Sequence, residues 1–410
     1  MSSELVPIEV HRDRVLAASH RLPTETVPLV DALGRVLADD VTSRFELPPW
    51  DNSGMDGYAV RFSDLGSPSP EHPAVLDVVA DLPAGTGLDP ALGSGQAARI
   101  MTGAPVPSDA DTVIPLELTD QGTVRVSIEG GRPLGAHVRR RAEDRAVGDL
   151  IARAGTRLSS RAVSALASAG HASADVVRRP RVAVIATGSE LVAPGESIGR
   201  GQIPDSNSLL VAGLVTETGA LVVSAERVAD DVDALAAAVE RAEAVADVVV
   251  LTGGVSVGAY DPVKALFTGS ATVQFAKVSM QPGKPQAFGT LPGGALVFGL
   301  PGNPVSVWIS FDVFVRPALL TLLGQSDVLR PVVSAVATEG WRTPGGRTQY
   351  LPGLIGDDGS GRTITPASKR GSGSHLVGSL AGANGYAIVD PSVAEVHAGD
   401  TVSVVEVEQR

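Results

Sequence analysis

The sequence predicts a multidomain fold of α/β and β architecture, with a doubly wound, mainly parallel α/β domain at its centre. Three observations predict this fold. Residues 180–325 alternate strand-like and helix-like segments, an order typical of parallel sheets with right-handed crossovers. Residues 46–146 and 326–410 contain short β-rich runs separated by glycine and proline, as small β domains do. Helical patterns at 7–20 and 158–171 flank the first β region.

We therefore expect a small β domain inserted into a discontinuous helical domain, followed by the α/β domain and a C-terminal small β domain. The predicted boundaries are 1–45 with 147–179, then 46–146, 180–325 and 326–410.

The N-terminal helices follow from local patterns. The segment 7–20 spaces apolar residues among polar ones, and 30–41 is a second helical candidate that Gly34 weakens. The helix at 158–171 has Ser159 or Ser160 as its expected N-cap.

The central domain is predicted element by element. Its strands and helices are expected in the alternating runs RVAVIATG, SNSLLVAGLVTETG, ALVVSAERV, DVDALAAAVERAEAVA, DVVVLTGG, ALVFGLPG and NPVSVWISFDVFVRPALLTLL.

Composition bounds the function. The 410 residues are 43% hydrophobic and 19% charged, enough for a sizeable core, and the net charge of −13 disfavours a nucleic-acid or acidic-membrane surface. No apolar run reaches the ~18 residues of a membrane span, and the start is not a secretory signal, so we expect a cytoplasmic protein. The chain has no cysteine, so it forms no disulfide. None of its seven histidines has the spacing of a zinc site, and it has no GxSxG motif, so a zinc enzyme and a Ser/His hydrolase are disfavoured.

Polar, glycine-rich loops follow three of the predicted strands. They are Thr187–Glu190, the stretch 252–258 with Asp261, and 301–306. Because the carboxyl ends of parallel strands share one edge of a sheet, we expect these loops to converge on a ligand. Glycines let backbone N–H groups approach a phosphate. The alternative for any single loop is a tight turn.

Carboxylates beside such a site require a cation. Glu190 and Asp261 are candidate Mg²⁺ ligands, because Mg²⁺ prefers oxygen ligands and substrate phosphates. For Asp261 the alternative role is helix N-capping. For Asp205, before the helix that starts near residue 207, capping is the stronger interpretation. For Asp230, before another helix, both interpretations are open.

The best basic candidate is Lys284, in a turn stiffened by Pro282 and Pro285. In the inserted domain, the segment LPPWDNSGMDGYA is expected to lie partly buried, so its acids need partners. Arg99 and the triplet 139–141 are candidate partners, unless the triplet is a solvated surface. The loop 372–375 is a weaker polar candidate.

An ordered set of motifs resembles the molybdopterin molybdenumtransferase family, which includes MoeA and the E domain of gephyrin. The motifs are DNSGMDGYAV, RIMTGAPVP, AED at 142–144, ATGSEL, GQIPDSN, LTGGVSVGAYD, MQPGKPQAFG and GLPGNPVS. The resemblance covers roughly residues 10–405.

This resemblance implies a homodimer whose active sites lie between the α/β domain of one subunit and the β domains of the other. The implied reaction inserts molybdate into the dithiolene of adenylylated molybdopterin, with Mg²⁺-dependent release of AMP. A molybdopterin adenylyltransferase is then the upstream enzyme. The lack of cysteine fits, because the dithiolene sulfurs belong to the pterin.

The resemblance also implies residue roles. Catalytic positions fall on Asp56, Thr102, Asp144, Glu190, Asp230, Lys277, Lys284 and Ser374. Substrate-binding positions fall on Thr187, Gly188, Ser189, Asp205, Gly253, Gly254, Ser256, Gly258, Pro301 and Pro304. Metal positions fall on Asp261 and Glu190.

Within this set, Asp56, Thr102 and Asp144 are implied to come from the partner subunit. Ser372 fits almost as well as Ser374. Some family members carry a lysine where this chain has Gln281, so Lys284 or an arginine would replace that charge.

Two other functions are alternatives. A molybdopterin adenylyltransferase resembles residues 180–325, but that family consists of the α/β unit alone. A non-enzymatic scaffold of the gephyrin E-domain type needs an exposed peptide groove, which nothing in the sequence identifies.

Overall fold

The first helix of the described residues packs onto the central domain. The computed structural model describes the following residues: 5–255, 261–359, 361–368 and 373–407. Helix α1, Ile8–Ala18, confirms the helix predicted over 7–20. Its buried side chains Ile8 and Val15 belong to the same hydrophobic core as Phe298 of the central domain.

The helix predicted over 30–41 is wrong. The chain forms strand β1, Thr24–Pro28, a 3₁₀ turn at Leu29–Asp31 and the short strand β2, Val41–Thr42. Gly34 takes a left-handed φ of 74°, which ends any helix there. Leu37 then bridges to a later strand, so tertiary pairing overrides the helical pattern.

The inserted region is all β, as predicted. Its strands are β3 Asn52–Ser53, β4 Gly57–Val60, β5 Ala74–Leu82, β6 Gln96–Ile100, β7 Thr112–Pro115, β8 Arg125–Ile128 and β9 Val138–Arg139. They form a sheet of order β7-β4-β6-β5-β8 and a separate β3–β9 pair. Tyr58 and Leu82 are buried in hydrophobic clusters of this sheet.

The chain then returns to the N-terminal unit through β10 Leu150–Ala152, α2 Ser160–Ser168 and β11 Ser173–Val177. Strands β10 and β11 pair with β2 and β1. The Oγ atom of Ser159 accepts a hydrogen bond from the N–H of Ala162 at 3.2 Å, so Ser159 is the N-cap of α2. This unit is discontinuous, as predicted, and contains two short sheets that the sequence did not predict.

The central domain is a mainly parallel doubly wound sheet. Its elements are β12 Arg181–Thr187, β13 Leu191–Val192, β14 Ile203–Pro204, α3 Asn207–Thr218, β15 Leu221–Val228, α4 Val232–Glu243, β16 Val248–Thr252, α5 Pro262–Phe267, β17 Val273–Lys277, β18 Met280–Gln281, β19 Pro285–Thr290, β20 Leu296–Leu300, α6 Pro304–Ser310 and α7 Arg316–Leu322. The sheet order is β15-β12-β16-β20-β19-β17, with the first four strands parallel. The antiparallel strands β17 and β19 were not predicted.

Helices α6 and α7 are joined by a π turn, Phe311–Val315. Among the described residues, the continuous stretch Pro304–Leu322 is long and apolar enough to cross a membrane by length and composition. It contains Asp312 and Arg316, and 89% of its most apolar window is buried inside the protein. It therefore serves as the core helix of the central domain.

The C-terminal domain is a second β unit, as predicted. Its strands are β21 Val333–Ala337, β22 Trp341–Arg342, β23 Thr348–Asp357, β24 Arg362–Pro366, β25 Gly385–Val389, β26 Glu395–Val396 and β27 Thr401–Glu406. The main sheet has the order β18-β23-β24-β21-β27-β25. Strand β18 thus leaves the central domain to pair with β23, and the predicted boundary at 325 does not separate the two sheets cleanly. The other domain boundaries stay a prediction.

An ion pair ties the N-terminal unit to the central sheet. The guanidinium of Arg178 donates to both carboxylate oxygens of Asp247, at 2.8 and 3.0 Å, and the N–H of Arg181 donates to the same group at 2.8 Å. Burial raises the pKa of Asp247, but these hydrogen bonds outweigh burial, and its pKa lies below the ordinary value of 3.8.

We predict that Asp247→Asn lowers the free energy of unfolding by about 2 kcal/mol at neutral pH, because it removes charged hydrogen bonds. A depressed folded-state pKa gives stability that is present above the unfolded pKa and is lost as pH falls through the folded value. The difference from wild type should therefore shrink below about pH 4. Urea denaturation over a pH series measures it, with Asp13→Asn on the exposed face of α1 as control. An unchanged difference at acid pH would contradict this assignment.

Candidate active site

A cavity lies at the carboxyl ends of the parallel strands. From β12 the chain crosses through α3 to β15 on one side, whereas β16 and β20 lie on the other side. The sheet order therefore reverses between β12 and β16, and doubly wound sheets bind ligands at such a point. The loops at this edge enclose about 1220 Å³.

The cavity brings together most of the predicted site residues. Those that line it are Thr187, Gly188, Glu190, Asp205, Asp230, Gly253, Gly254, Asp261, Lys284, Pro301, Pro304 and Ser374. The three strand-end loops converge, as the sequence predicts. Ser256, Gly258 and Ser372 lie outside the described residues.

The loop after β16 lies against the end of β12. Gly253 and Gly254 have φ values of 88° and 64°, a region that favours glycine. A Cβ atom on Gly253 would lie 2.5 Å from the carbonyl oxygen of Thr187, and one on Gly254 would lie 3.3 Å from Oδ1 of Asp261. Glycine is therefore required by conformation and by space, and it leaves the cavity floor open.

A reciprocal pair of hydrogen bonds joins two of the loops. The N–H of Ser189 donates to Oδ2 of Asp230, and the N–H of Asp230 donates to Oγ of Ser189, both at 3.1 Å. Ser189 itself does not line the cavity. It therefore positions Asp230, which does.

Two cavity carboxylates also act as helix caps. Oδ1 of Asp205 accepts from the N–H of Ser208 at 3.0 Å, which confirms the capping interpretation. Oδ1 of Asp261 accepts from the N–H of Lys264 at 3.2 Å at the start of α5. Capping fixes the Asp261 carboxylate at the cavity wall.

The donor set fits Mg²⁺ shared with a phosphate rather than an all-protein metal site. Within the described ranges, no group of three or more His, Cys, Asp or Glu is placed to hold a metal. Glu190 and Asp261 both line the cavity, and a Cβ on Gly188 would lie 2.8 Å from Oε2 of Glu190. Mg²⁺ is commonly bound by one or two carboxylates together with substrate phosphates.

Basic side chains also line the cavity. They are Lys284, in the turn between β18 and β19, and Arg347 and His375 of the C-terminal domain. Nδ2 of Asn303 donates to Oγ of Ser374 at 2.8 Å, and this bond joins the C-terminal domain to the start of α6. The cavity is therefore lined by acids of the central domain and by basic residues of both domains.

Comparison with protein-family models matches nearly the whole chain. Residues 6–170 match the MoeA N-terminal region (domain I and II), residues 183–321 a probable molybdopterin binding domain, and residues 334–407 the MoeA C-terminal region (domain IV). The chain belongs to the MoeA family.

Relatives and solved structures of the MoeA family agree. Molybdopterin molybdenumtransferase 2 of Mycobacterium tuberculosis is 42% identical over 389 residues, covering 92% of this chain and 94% of that protein. The molybdopterin molybdenumtransferase of Bacillus subtilis is 34% identical over 404 residues, covering 97% and 93%. Two crystal structures of the MoeA protein from Pyrococcus horikoshii, 32% and 27% identical, have TM-scores of 0.83 and 0.82 and match 99% and 98% of this chain and all of theirs. The predicted fold class is confirmed.

Matches to the MoeA N- and C-terminal regions lie outside the α/β domain. An adenylyltransferase built from that domain alone is therefore not favoured.

Among the cavity residues to which the sequence interpretation gave no role are Asn207, Thr252, Arg347 and His375. Thr252 and His375 lie in loops that the sequence analysis did single out, at 252–258 and 372–375. The hydroxyl of Thr252 and Oδ1 of Asn207 are buried without a hydrogen-bond partner in the described part of the chain. Both residues stand in recognised motifs, so proximity in sequence was the available signal. Arg347 follows two glycines in the C-terminal domain, and no motif marked it.

Other predicted site residues lie away from the cavity. Lys277 ends β17 and is not part of the lining. In the inserted domain, the N–H and the hydroxyl of Thr102 each donate to Oδ1 of Asp56 at 2.7 Å and lower its pKa. Asp144 pairs with Arg145 at 3.1 Å. The roles of these residues stay predictions.

One of the two acids of the segment 47–59 has an expected partner, since Arg140 pairs with Asp51 at 2.6 Å. Asp56 is hydrogen-bonded by Thr102, and Arg99 lies 3.9 Å from Asp81. Arg141 pairs with Glu46, just before the segment. Half-exposed pairs of this kind contribute little stability, roughly 0–1 kcal/mol each. Their main effect is to hold the segment 46–51 against the loop that carries Asp144.

Proposed function

We propose that this chain is a molybdopterin molybdenumtransferase that inserts molybdate into adenylylated molybdopterin and releases AMP in the cytoplasm, downstream of a molybdopterin adenylyltransferase. One observation carries the proposal. Three glycine-containing loops of a MoeA-family α/β domain converge on a cavity lined by both acidic and basic side chains. Its volume, about 1220 Å³, exceeds that of a typical small-ligand pocket, roughly 300–1,000 Å³, as a pterin joined to a nucleotide requires.

The acidic and the basic residues of the cavity have different proposed roles. Release of AMP breaks a phosphoanhydride, so negative charge develops on phosphate oxygens. Lys284 and Arg347 provide positive charge for the phosphate and for molybdate. Asp261 and Glu190 would hold Mg²⁺, which when bound neutralises charge on the phosphates. Ser189 orients Asp230, and the backbone of Gly253 and Gly254 leaves room for the pterin end.

We predict that Asp261→Asn lowers the rate of AMP release by about 10²–10³-fold. Asparagine also caps helices well, so α5 and the melting temperature should be preserved while the charge is lost. Single-turnover release of AMP from adenylylated molybdopterin measures the effect.

The matched control is Asp231→Asn. Asp231 caps α4 through the N–H of Ala234 at 2.8 Å and does not line the cavity. It should keep wild-type turnover. A fall of less than tenfold for Asp261→Asn would rule out its proposed role.

The unpartnered hydroxyl of Thr252 gives a second prediction. A buried hydroxyl without a partner costs free energy, so Thr252→Val should leave the stability unchanged or raise it. If the hydroxyl binds substrate, the same change should raise KM by about tenfold, the worth of one hydrogen bond. Melting temperature and KM for adenylylated molybdopterin are the two measurements.

Thr112→Val is the control for this change. Thr112 is also buried, but its hydroxyl accepts from the N–H of Gly135 at 3.2 Å and bonds Asp111 at 2.9 Å. It should lose stability and keep its KM. Loss of stability in Thr252→Val with no change in KM would show a structural hydroxyl instead.

We further propose a homodimer in which Asp56, Thr102 and Asp144 complete the cavity of the other subunit. Asp56 and Asp144 belong to the inserted domain and lie outside the cavity of their own chain, which supports a contribution to a second copy. The fixed Asp56–Thr102 pair suits such a role, because its carboxylate is held exposed.

Subunit mixing tests this arrangement. Asp56→Asn and Asp261→Asn are each expected to be inactive, and an equal mixture should regain about a quarter of wild-type activity. Half of the randomly formed dimers are mixed, and each mixed dimer has one intact site. The pair Glu190→Gln with Asp261→Asn lies in one domain and should regain nothing. No recovery in the first mixture would overturn the shared site.

A further inference from the structure

A second cavity lies between the C-terminal end of α3, the π turn and the segment that leads into the C-terminal domain. It encloses about 360 Å³ and shares no lining residue with the candidate active site. Three arginines line it, Arg157, Arg316 and Arg330, together with the acids Asp312 and Glu217. Nothing in the proposed reaction uses this cavity.

Asp312 serves as a structural partner for one of the arginines. Nε of Arg330 donates to both of its carboxylate oxygens, at 2.8 and 3.1 Å, and the hydroxyl of Tyr386 donates to Oδ2 at 2.8 Å. The π turn holds this buried carboxylate on the inner side of the helix. Its negative charge is therefore largely satisfied by Arg330.

Arg316 is less well compensated. Its Nε atom lies 4.0 Å from Asp312, and within the described ranges its hydrogen bond is from Nη1 to the carbonyl oxygen of Val328, at 3.0 Å. Burial lowers the pKa of Arg316, and the positive charges of Arg330 and Arg157 lower it further against the opposing effect of Asp312. Among the described residues that line the cavity, three arginines thus accompany two acids, Asp312 and Glu217.

A neutral donor lies in the same cavity. Nε2 of Gln325 is buried and has no hydrogen-bond partner among the described residues. A buried unsatisfied donor in a native structure calls for an explanation, such as an ion or water that completes it. Beside guanidinium groups, an anion satisfies this donor and their charge together.

We propose that this cavity binds a tetrahedral oxyanion of the phosphate and molybdate class. Guanidinium groups match such oxyanions with paired N–H donors. The three arginines exceed the two acids by one positive charge in a chain whose net charge is −13, and a local basic cluster is how an acidic protein attracts an anion. The volume admits the anion with bridging water.

Calorimetric titration with inorganic phosphate and with molybdate, at constant ionic strength, tests the proposal. Lys284→Gln is the background, because it weakens anion binding in the candidate active site. We expect one anion-binding site per chain in this background. Adding Arg157→Gln or Arg316→Gln should weaken the affinity of that site for the anion at least tenfold. Arg241→Gln, whose guanidinium pairs with Glu226 at 3.0 Å outside both cavities, should not change it.

The two anions distinguish the source of the ligand. Similar affinities for phosphate and for molybdate support a general oxyanion site. If molybdate binds at least tenfold more tightly than phosphate, the cavity is a site for the molybdate of the proposed reaction. No site tighter than about 1 mM for either anion, or equal binding in Arg157→Gln, overturns the proposal. If circular dichroism shows that Arg316→Gln is unfolded, the affinity of the Arg157→Gln variant is the test, because Arg157 is more exposed than Arg316. No turnover is measured, so the result is independent of the proposed function.

Discussion

The close approach of β12 and β16 at their carboxyl ends is the constraint on which the site depends. Parallel pairing brings Ala186 opposite Thr252, and the next residue of the second strand lies against the carbonyl of Thr187 with no room for a side chain. This contact fixes the position at which the chain leaves the sheet after β16. Asp261, Glu190 and Asp230 all depend on it, because each stands on a loop that starts from one of these strand ends or packs beside it.

Part of the cavity lining depends on a different domain. Ser374 reaches the start of α6 through Asn303, and the N–H of Val305 donates to the carbonyl oxygen of Ser374 at 3.1 Å. The acids that line the cavity therefore belong to the central domain, whereas Arg347 and His375 belong to the C-terminal domain.

Much of this fold could be predicted from sequence patterns, because buried parallel strands such as VVVLT are almost entirely apolar and a helix such as α4 has its buried apolar residues on one face. The segment 30–41 could not, since its helical pattern is overridden by pairing with strands more than a hundred residues away. Likewise β17 and β19 were missed. Strand β19 contains proline and glycine, which are loop signals, and β17 has only five residues. The strand-end rule located the glycine loops and their acids. It could not locate Arg347, which lies in the C-terminal domain. Nor could it show that the hydroxyl of Thr252, inside a predicted loop, is buried without a hydrogen-bond partner among the described residues.

Strand β18 couples the central domain to the C-terminal domain. Met280 and Gln281 sit within the central domain's stretch of chain, yet they hydrogen-bond along Thr348 and Gln349 of the C-terminal sheet. Deleting the last domain would leave this edge unsatisfied and the turn bearing Lys284 without its anchor. The central and C-terminal domains therefore share this strand and depend on each other for the shape of the cavity, whereas the inserted β region enters and leaves the N-terminal unit at neighbouring points, where Leu47 bridges Arg145.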